Sequence, residues 1–281
     1  VLSDAPSNPD WVSIDDTGHL LDQHVDDLVD DELTDLSSER VTRRWETFAR
    51  DGLHHYGDVR DLPAVEGTSR MSTALRFGVV HPARLLQELD PTCEHHSTFE
   101  SELAWRDFYA DVLFRRPDSA WANLDAKLNG IAIDTDAAAR TRFELWAQGM
   151  TGFPIVDAGM RQLAATGWMH NRVRMIVASF LVKDLHLPWQ WGAKWFMQHL
   201  VDGDLASNNH GWQWAAGTGT DAAPYFRVFN PTAQAERWDP SGEYQRRWIP
   251  ELNSDRYPAP MVDHGEERKE ALRRYEAARA R

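Results

Sequence analysis

No stretch of this chain alternates apolar and polar residues with a period of two, so the fold has to be built from helices. Apolar residues instead recur at three- and four-residue spacing, punctuated by proline and glycine. Ser37 or Ser38 can cap a helix that carries Val41, Trp45 and Phe48 and stops near Gly52. Pro82 opens another, with Leu85, Leu86 and Leu89 expected on one face. Residues 99–114 read as a long helix striped by Leu103, Phe108 and Val112. Three more follow at 154–165, 173–185 and 189–200, the first ended by Gly167 and the last two separated by Pro188. The interval 118–140 reads as loop, and 265–281 as a charged, Ala-rich helix facing mostly solvent. The expectation is an all-α fold of roughly ten helices.

Charge divides the chain. Of the net −14, residues 1–40 carry −11, with twelve acidic residues against Arg40 alone, so this segment reads as an acidic, linker-like lead-in. Residues 41–281 form the helical part and are close to neutral, with arginines clustered near two dense blocks described below. Overall acidity therefore does not exclude a nucleic-acid partner, because the local field decides whether phosphate can dock. No apolar run approaches membrane-spanning length, and Val1 to Asp10 lacks the apolar core of a signal peptide. The single cysteine, Cys93, cannot form an internal disulfide, which points to a reducing cytoplasm. Cys93 with Glu94, His95 and His96 is a weak metal candidate, since a tetrahedral site wants four ligands and no second cluster is evident; no metal is expected.

Between Thr151 and Pro231 small residues, tryptophans, asparagines and arginines interleave more densely than packing alone requires, as in a polar-rimmed pocket with aromatic walls. Of the 13 tryptophans, Trp45, Trp146 and Trp248 read as core anchors, whereas Trp212 and Trp214 sit among glycines, alanines and polar side chains. Thr68-Ser69-Arg70-Met71-Ser72 lies at a loop-to-helix junction and can cradle phosphate or simply cap the helix. Asp202-Gly203-Asp204 sets two carboxylates around a turn. They can bind a metal, serve as acid and base, accept hydrogen bonds from ribose hydroxyls and ring N–H groups, or cap a helix with Arg174 as ion partner. His170 can act as a base or a capping residue, and capping is favoured because no nucleophile accompanies it. The Gly-x-Ser-x-Gly elbow, the dinucleotide fingerprint and the P-loop are all missing.

Five ordered blocks carry a resemblance: Gly-Thr-Ser-Arg-Met-Ser (67–72), Glu-Leu-Ala-Trp-Arg-Asp-Phe-Tyr (102–109), Thr-Gly-Phe-Pro-Ile-Val-Asp-Ala-Gly-Met-Arg-Gln-Leu (151–163), Gly-Trp-Met-His-Asn-Arg-Val-Arg-Met (167–175) and the run from Asp202 to Pro231. From about Arg40 onward the chain resembles the helical FAD-binding domain of the DNA photolyase/cryptochrome family, and is most similar to class I photolyases acting on cyclobutane pyrimidine dimers.

The resemblance implies an FAD held in a U-shape. Tyr56, Thr68, Ser69, Arg70, Met71 and Ser72 would contact its phosphates and ribose. Asp202, Gly203 and Asp204 would lie along its ring edges, with Arg174 paired to Asp202 and Asn208 opposite flavin N5. Asn208 matches photolyases, where many plant cryptochromes carry Asp and insect ones Cys. Trp105 and Trp214 would flank a flipped pyrimidine dimer in UV-damaged DNA. Glu102, Asn171 and Met175 would line the dimer pocket; enzymes for (6-4) lesions carry His at the latter two positions. Arg60, Arg106, Arg172 and Arg227 would approach DNA phosphates. Trp212 and Trp189 match the inner members of a tryptophan electron-transfer chain. The outer member has no counterpart near Lys127 and Leu128, which leaves Trp121 or another route. His210 replaces a usual glycine close to the flavin. The chain begins within what resembles the interdomain linker, so the α/β antenna domain and its folate or deazaflavin are not expected in it. Light-driven repair by a cytoplasmic monomer is the implied activity, and a cryptochrome-like blue-light photoreceptor is the alternative.

Overall fold

A computed structural model describes residues 34–220 and 228–280, and among these the regular structure is all helical. Helix α1 (Ser38–Asp51) leads through a 3-10 turn at Leu53–His55 into α2 (Tyr56–Val59). The short α3 (Ser72–Arg76) and α4 (Pro82–Leu86) precede the long α5 (Glu94–Arg115). Two 3-10 turns, Pro117–Ala120 and Ala126–Gly130, connect it to α6 (Ala137–Ala147). Then come α7 (Pro154–Thr166), α8 (Asn171–Lys183), α9 (Trp189–His199) and α10 (Leu205–Ala216). The chain closes with α11 (Pro231–Trp238), α12 (Glu243–Trp248) and α13 (His264–Arg279).

Side-chain caps set many of these boundaries. Asp136, Asp204, Asn230 and Asp263 each accept the backbone N–H three residues on, from Ala139, Ser207, Ala233 and Glu266, at 2.8–3.1 Å. Helix α7 begins with Pro154 in its first turn and ends at Gly167, whose φ of 65° is the left-handed conformation of a helix C-cap.

Helices α6, α11 and α12 lie where the sequence reading placed none, α6 starting inside the interval read as loop, and four further details differ. Leu86 is exposed while Leu85 is buried, because α4 is only five residues long and cannot present a stripe. Phe108 is half-exposed, since the buried positions of α5 (His96, Phe99, Leu103) all fall in its first half. Helix α13 buries Ala271, Tyr275 and Ala278, with Leu128 packed against the last two and the Tyr275 hydroxyl bonded to Ala216 O. Helix α10 was not legible as a helix because both of its faces are in use.

Besides the small Leu128–Tyr275–Ala278 cluster, two larger apolar cores result among the described residues. The larger joins α6 to α10 through Phe143, Trp146, Met160, Val173, Phe180 and Trp212. The smaller joins α1, α2, α3 and α5, where Trp45 lies 5.5 Å from Phe99 and Phe48 meets Tyr56 edge-on at 5.9 Å. Each such ring pair contributes about 0.5–1.5 kcal/mol beyond burial. Arg76 Nε donates to Gly203 O at 2.6 Å and ties the second core to the turn before α10.

Candidate functional site

A cavity of ≈170 Å³ lies between α8, α9 and α10. Asn171, Arg174 and Met175 reach it from α8, one helical turn apart. Asp202, Gly203 and Asp204 supply its rim, and Asn208, Gly211 and Trp212 its α10 wall. Eight of the expected site residues therefore meet in one place. Ser207, Gly211, Ala178, Phe196 and Leu200 complete the lining and were missed, since small and apolar residues carry no sequence signal of chemistry.

The polar atoms around this cavity are unequally satisfied. Arg174 donates through Nε to Met169 O at 2.7 Å and through Nη2 to Asp202 Oδ2 at 2.9 Å, the pairing expected from sequence. Asp202 Oδ1 is buried without a partner, and so is Trp212 Nε1. Asn208 gives both amide protons to protein oxygens, Ala193 O at 3.0 Å and Asn209 Oδ1 at 2.8 Å. Asn209 in turn donates to Ala120 O, so both amides have a fixed orientation. The free end of Asn208 is its carbonyl oxygen, an acceptor.

The opposite face of α10 is locked down. His210 Nδ1 lies 2.8 Å from Ala206 O and Nε2 2.9 Å from Ser119 Oγ, while its ring stacks on Tyr109 at 5.4 Å. Burial lowers its pKa. Gln213 bonds Leu124 N, Ser119 O and Ala122 O. His210 is thus not among the cavity residues, contrary to its expected place near the ligand; the helical period turns Gly211 inward instead.

The phosphate-cradle candidates form a separate wall. Thr68, Ser69 and Arg70 border a groove of ≈660 Å³ against Arg40, Arg43 and Arg44 of α1. Arg70 holds φ 50°, a left-handed conformation uncommon for a side-chain-bearing residue, with its guanidinium on Glu66 at 2.7 Å and over the Trp168 ring at 5.0 Å. Met71 is buried in the smaller core, so only its backbone is available to a ligand. Ser72 starts α3. Tyr56 is buried, and burial raises its hydroxyl pKa to about 12.

Glu102 pairs with Arg60 at 2.8 Å, and Arg60 also lies over the Tyr56 ring at 5.2 Å. Arg172 is held by Asp61 at 2.6 Å and lies 4.4 Å from the Trp238 ring centre, so both arginines are already partly neutralised. Arg106 is half-exposed and weakly tethered to Leu75 O at 3.3 Å. Arg227 lies outside the described residues. Trp105 is half-exposed, 5.6 Å from Tyr109, and Trp214 packs on Phe229 at 6.2 Å.

Trp212 sits edge-on to Phe196 at 5.0 Å and Trp146 at 6.1 Å, and its benzo ring lies flush on Gly192. Trp189, on the same face of α9 one turn before Gly192, donates to Asn123 Oδ1 at 2.9 Å. Gln190 donates to Trp121 O at 3.0 Å, which places Trp121 beside that end of α9, while Leu128 is buried against α13.

His54 joins Cys93 and His96, with ligand atoms all within 4.8 Å, a neighbour that sequence separation concealed. His96 Nδ1 accepts Asp90 N–H at 2.8 Å, so its proton sits on Nε2 and that nitrogen has no lone pair for a metal. Among the described residues no helix is long and apolar enough to cross a membrane.

A family model described as the FAD binding domain of DNA photolyase matches residues 99–256. A deoxyribodipyrimidine photo-lyase from Vibrio cholerae is 45% identical over 266 residues, covering 86% of this chain and 56% of that protein. The crystal structure of a class III photolyase from Agrobacterium tumefaciens matches with a TM-score of 0.82 and 38% identity, covering 87% of this chain and 56% of the other. A Synechocystis cryptochrome matches with a TM-score of 0.76 and 30% identity, covering 84% of this chain and 55% of its own. The chain spans about half the length of the relatives it matches.

Proposed function

Since the chain belongs to the DNA photolyase family through its FAD binding domain, we propose that it holds the flavin end of FAD in the α8–α10 cavity and repairs cyclobutane pyrimidine dimers in UV-damaged DNA when illuminated. The observation that carries this reading is the set of unmet polar atoms in that cavity. Asp202 Oδ1 is a buried acceptor, Trp212 Nε1 a buried donor, and Asn208 presents a carbonyl oxygen. A flat heterocycle with alternating N–H and C=O edges meets all three, so the residues fit a flavin. An acceptor at Asn208 suits a ring N–H, as found in the reduced cofactor.

Bound and reduced, FAD supplies the light-driven electron chemistry of such a repair. The protein's own share is placement and exclusion of water. Arg174 holds the Asp202 carboxylate at the rim. Tyr56 and the segment Thr68 to Ser72 would take the phosphate end, and Gly203 lets the backbone come close. Trp105 and Trp214 would flank the flipped dimer, each stack contributing about 1–3 kcal/mol per base. Glu102, Asn171 and Met175 would meet its polar and apolar edges. Arg106, Arg227 and, where their carboxylate partners yield, Arg60 and Arg172 would attract DNA phosphates and make binding salt-dependent. Trp212 and Trp189 would carry electrons inward to regenerate reduced cofactor, with Trp121, whose carbonyl accepts from Gln190 at 3.0 Å, a candidate beyond them.

The test is loss of a thymine dimer from an oligonucleotide incubated with FAD-loaded, dithionite-reduced protein, with and without blue light. Light-dependent loss is expected. No loss with reduced flavin bound would sink the repair reading and favour a photoreceptor like the cryptochromes.

A further inference from the structure

A second cavity, of ≈260 Å³, lies on the other side of the segment that carries Thr68. Its walls come from the 63–70 loop, the α7–α8 junction and the end of α12, and it shares Thr68 and Arg70 with the cofactor segment.

The acceptors around this cavity are spent. Gln162 Oε1 takes the Tyr244 hydroxyl at 2.7 Å and the His170 backbone N–H at 3.3 Å. Thr166 Oγ1 takes Trp168 N–H at 3.2 Å, and Glu66 is paired with Arg70 at 2.7 Å. Two donors are left over. Trp248 Nε1 and His170 Nε2 are buried and have no hydrogen-bond partner. His170 is only 2% exposed. Its Nδ1 accepts Arg172 N–H at 3.2 Å, which leaves the ring proton on Nε2. Burial, the largest influence, lowers the ring's pKa to about 4, so near neutral pH the group is an uncharged donor. Unsatisfied buried donors are costly, and two lining one cavity call for an acceptor-rich guest. Two arginines line the cavity, Arg70 paired with Glu66 at 2.7 Å and Arg247 paired with Glu243 at 3.0 Å, and a bound anion would share their guanidinium groups.

We propose that this cavity binds a small free oxyanion, a phosphate or a carboxylate, to which His170 Nε2–H and Trp248 Nε1–H donate while Arg70 and Arg247 balance its charge. The site is separate from the α8–α10 cavity and neither donor has a role in the repair chemistry, but Thr68 and Arg70 border both it and the proposed phosphate end of the cofactor, so the binding test is run with FAD in place and is read at Trp248.

The experiment uses FAD-loaded protein in a buffer free of phosphate and carboxylate. Inorganic phosphate and malonate are titrated in separate arms by calorimetry, with the Trp248 indole N–H followed by NMR and assigned from Trp248→Phe. Saturable binding of at least one anion is expected, with the Trp248 indole proton moving downfield. Affinity should fall about tenfold or more in Trp248→Phe, which keeps the ring and drops the donor, and by a similar factor in the surface variant Arg247→Gln. Which arm saturates identifies the anion. No saturable binding in either arm would overturn the proposal and assign the two donors to water. Binding with an unmoved Trp248 proton, or of undiminished strength in Trp248→Phe, would place the anion elsewhere, such as the arginine groove beside α1.

Discussion

Gly192→Ala probes the packing behind the α8–α10 cavity. A Cβ at Gly192 would lie 2.5 and 2.6 Å from Trp212 Cζ3 and Cζ2, and nearer still to Cη2. Carbon atoms rest at about 3.5–4.0 Å, so the indole must retreat by about 1 Å or more. Phe196 and Trp146 pack edge-on against the indole, which leaves the cavity as the way out. Overpacking of this severity costs about 3 kcal/mol, and the helix preference of alanine over glycine returns about 1 kcal/mol. The net loss of about 2 kcal/mol corresponds to a fall in Tm of about 4–8 °C for a domain of this size. Because the displaced ring intrudes on the cavity, FAD should also bind more weakly. Circular-dichroism melts with and without FAD, and a flavin titration, read both effects. An unchanged or raised Tm would show that Trp212 does not rest on Gly192, and the geometry behind the argument would be wrong.

Gly211→Ala should separate the two effects, because a Cβ there meets nothing within 4 Å in the protein yet Gly211 lines the cavity. The apo-protein should gain about 1 kcal/mol of helix preference while FAD affinity falls; a gain in both would exclude α10 from the ligand wall. Glu102→Ala should lower repair yield with flavin retained, and unchanged yield at saturating DNA would remove Glu102 from the lesion contacts. Trp212→Phe should block photoreduction but spare repair after chemical reduction, and normal photoreduction would show that electrons take another path. His170 has a folded pKa of about 4, below the ordinary histidine value of 6.5. The unfolded chain therefore binds its proton first, and the linked stability is full above pH 6.5 and is lost as pH falls toward 4, by about 3 kcal/mol. In phosphate-free buffer His170→Asn, which keeps a capping oxygen, should flatten that acid limb relative to wild type. An identical pH–stability profile would mean His170 is not buried neutral.

Periodic apolar spacing made α1, α7, α8 and α9 legible within a few residues, helped in α1, α7 and α9 by a serine, proline or glycine at an end. Helix α10 escaped that logic. One face lines a cavity with Ser207, Asn208 and Gly211, and the other hydrogen-bonds the 117–124 segment through Asn209, His210 and Gln213, so no apolar stripe exists to be read. The Arg174–Asp202 pair was foreseeable from charge and motif. The pairing of Arg60 with Glu102 and of Arg172 with Asp61 was not, since those partners lie 42 and 111 residues apart and only folding brings them together. The same holds for the buried donors of His170 and Trp248, which belong to elements far apart in the chain.

The amide relay from Asn208 through Asn209 to Ala120 also fixes the proton inventory of the cavity. Asn208 points two hydrogens at Ala193 O and Asn209 Oδ1. An aspartate at 208 would confront those same two oxygens with lone pairs. It would have to hold a proton of its own or swing its carboxylate into the cavity, and either way a titratable group would enter the α10 wall, where the lining side chains Ser207, Asn208 and Trp212 do not titrate in the ordinary range. One nitrogen-for-oxygen exchange at position 208 is thus enough to add a third carboxyl group to a pocket rimmed by Asp202 and Asp204, and so a further place for a proton, with no change in its shape.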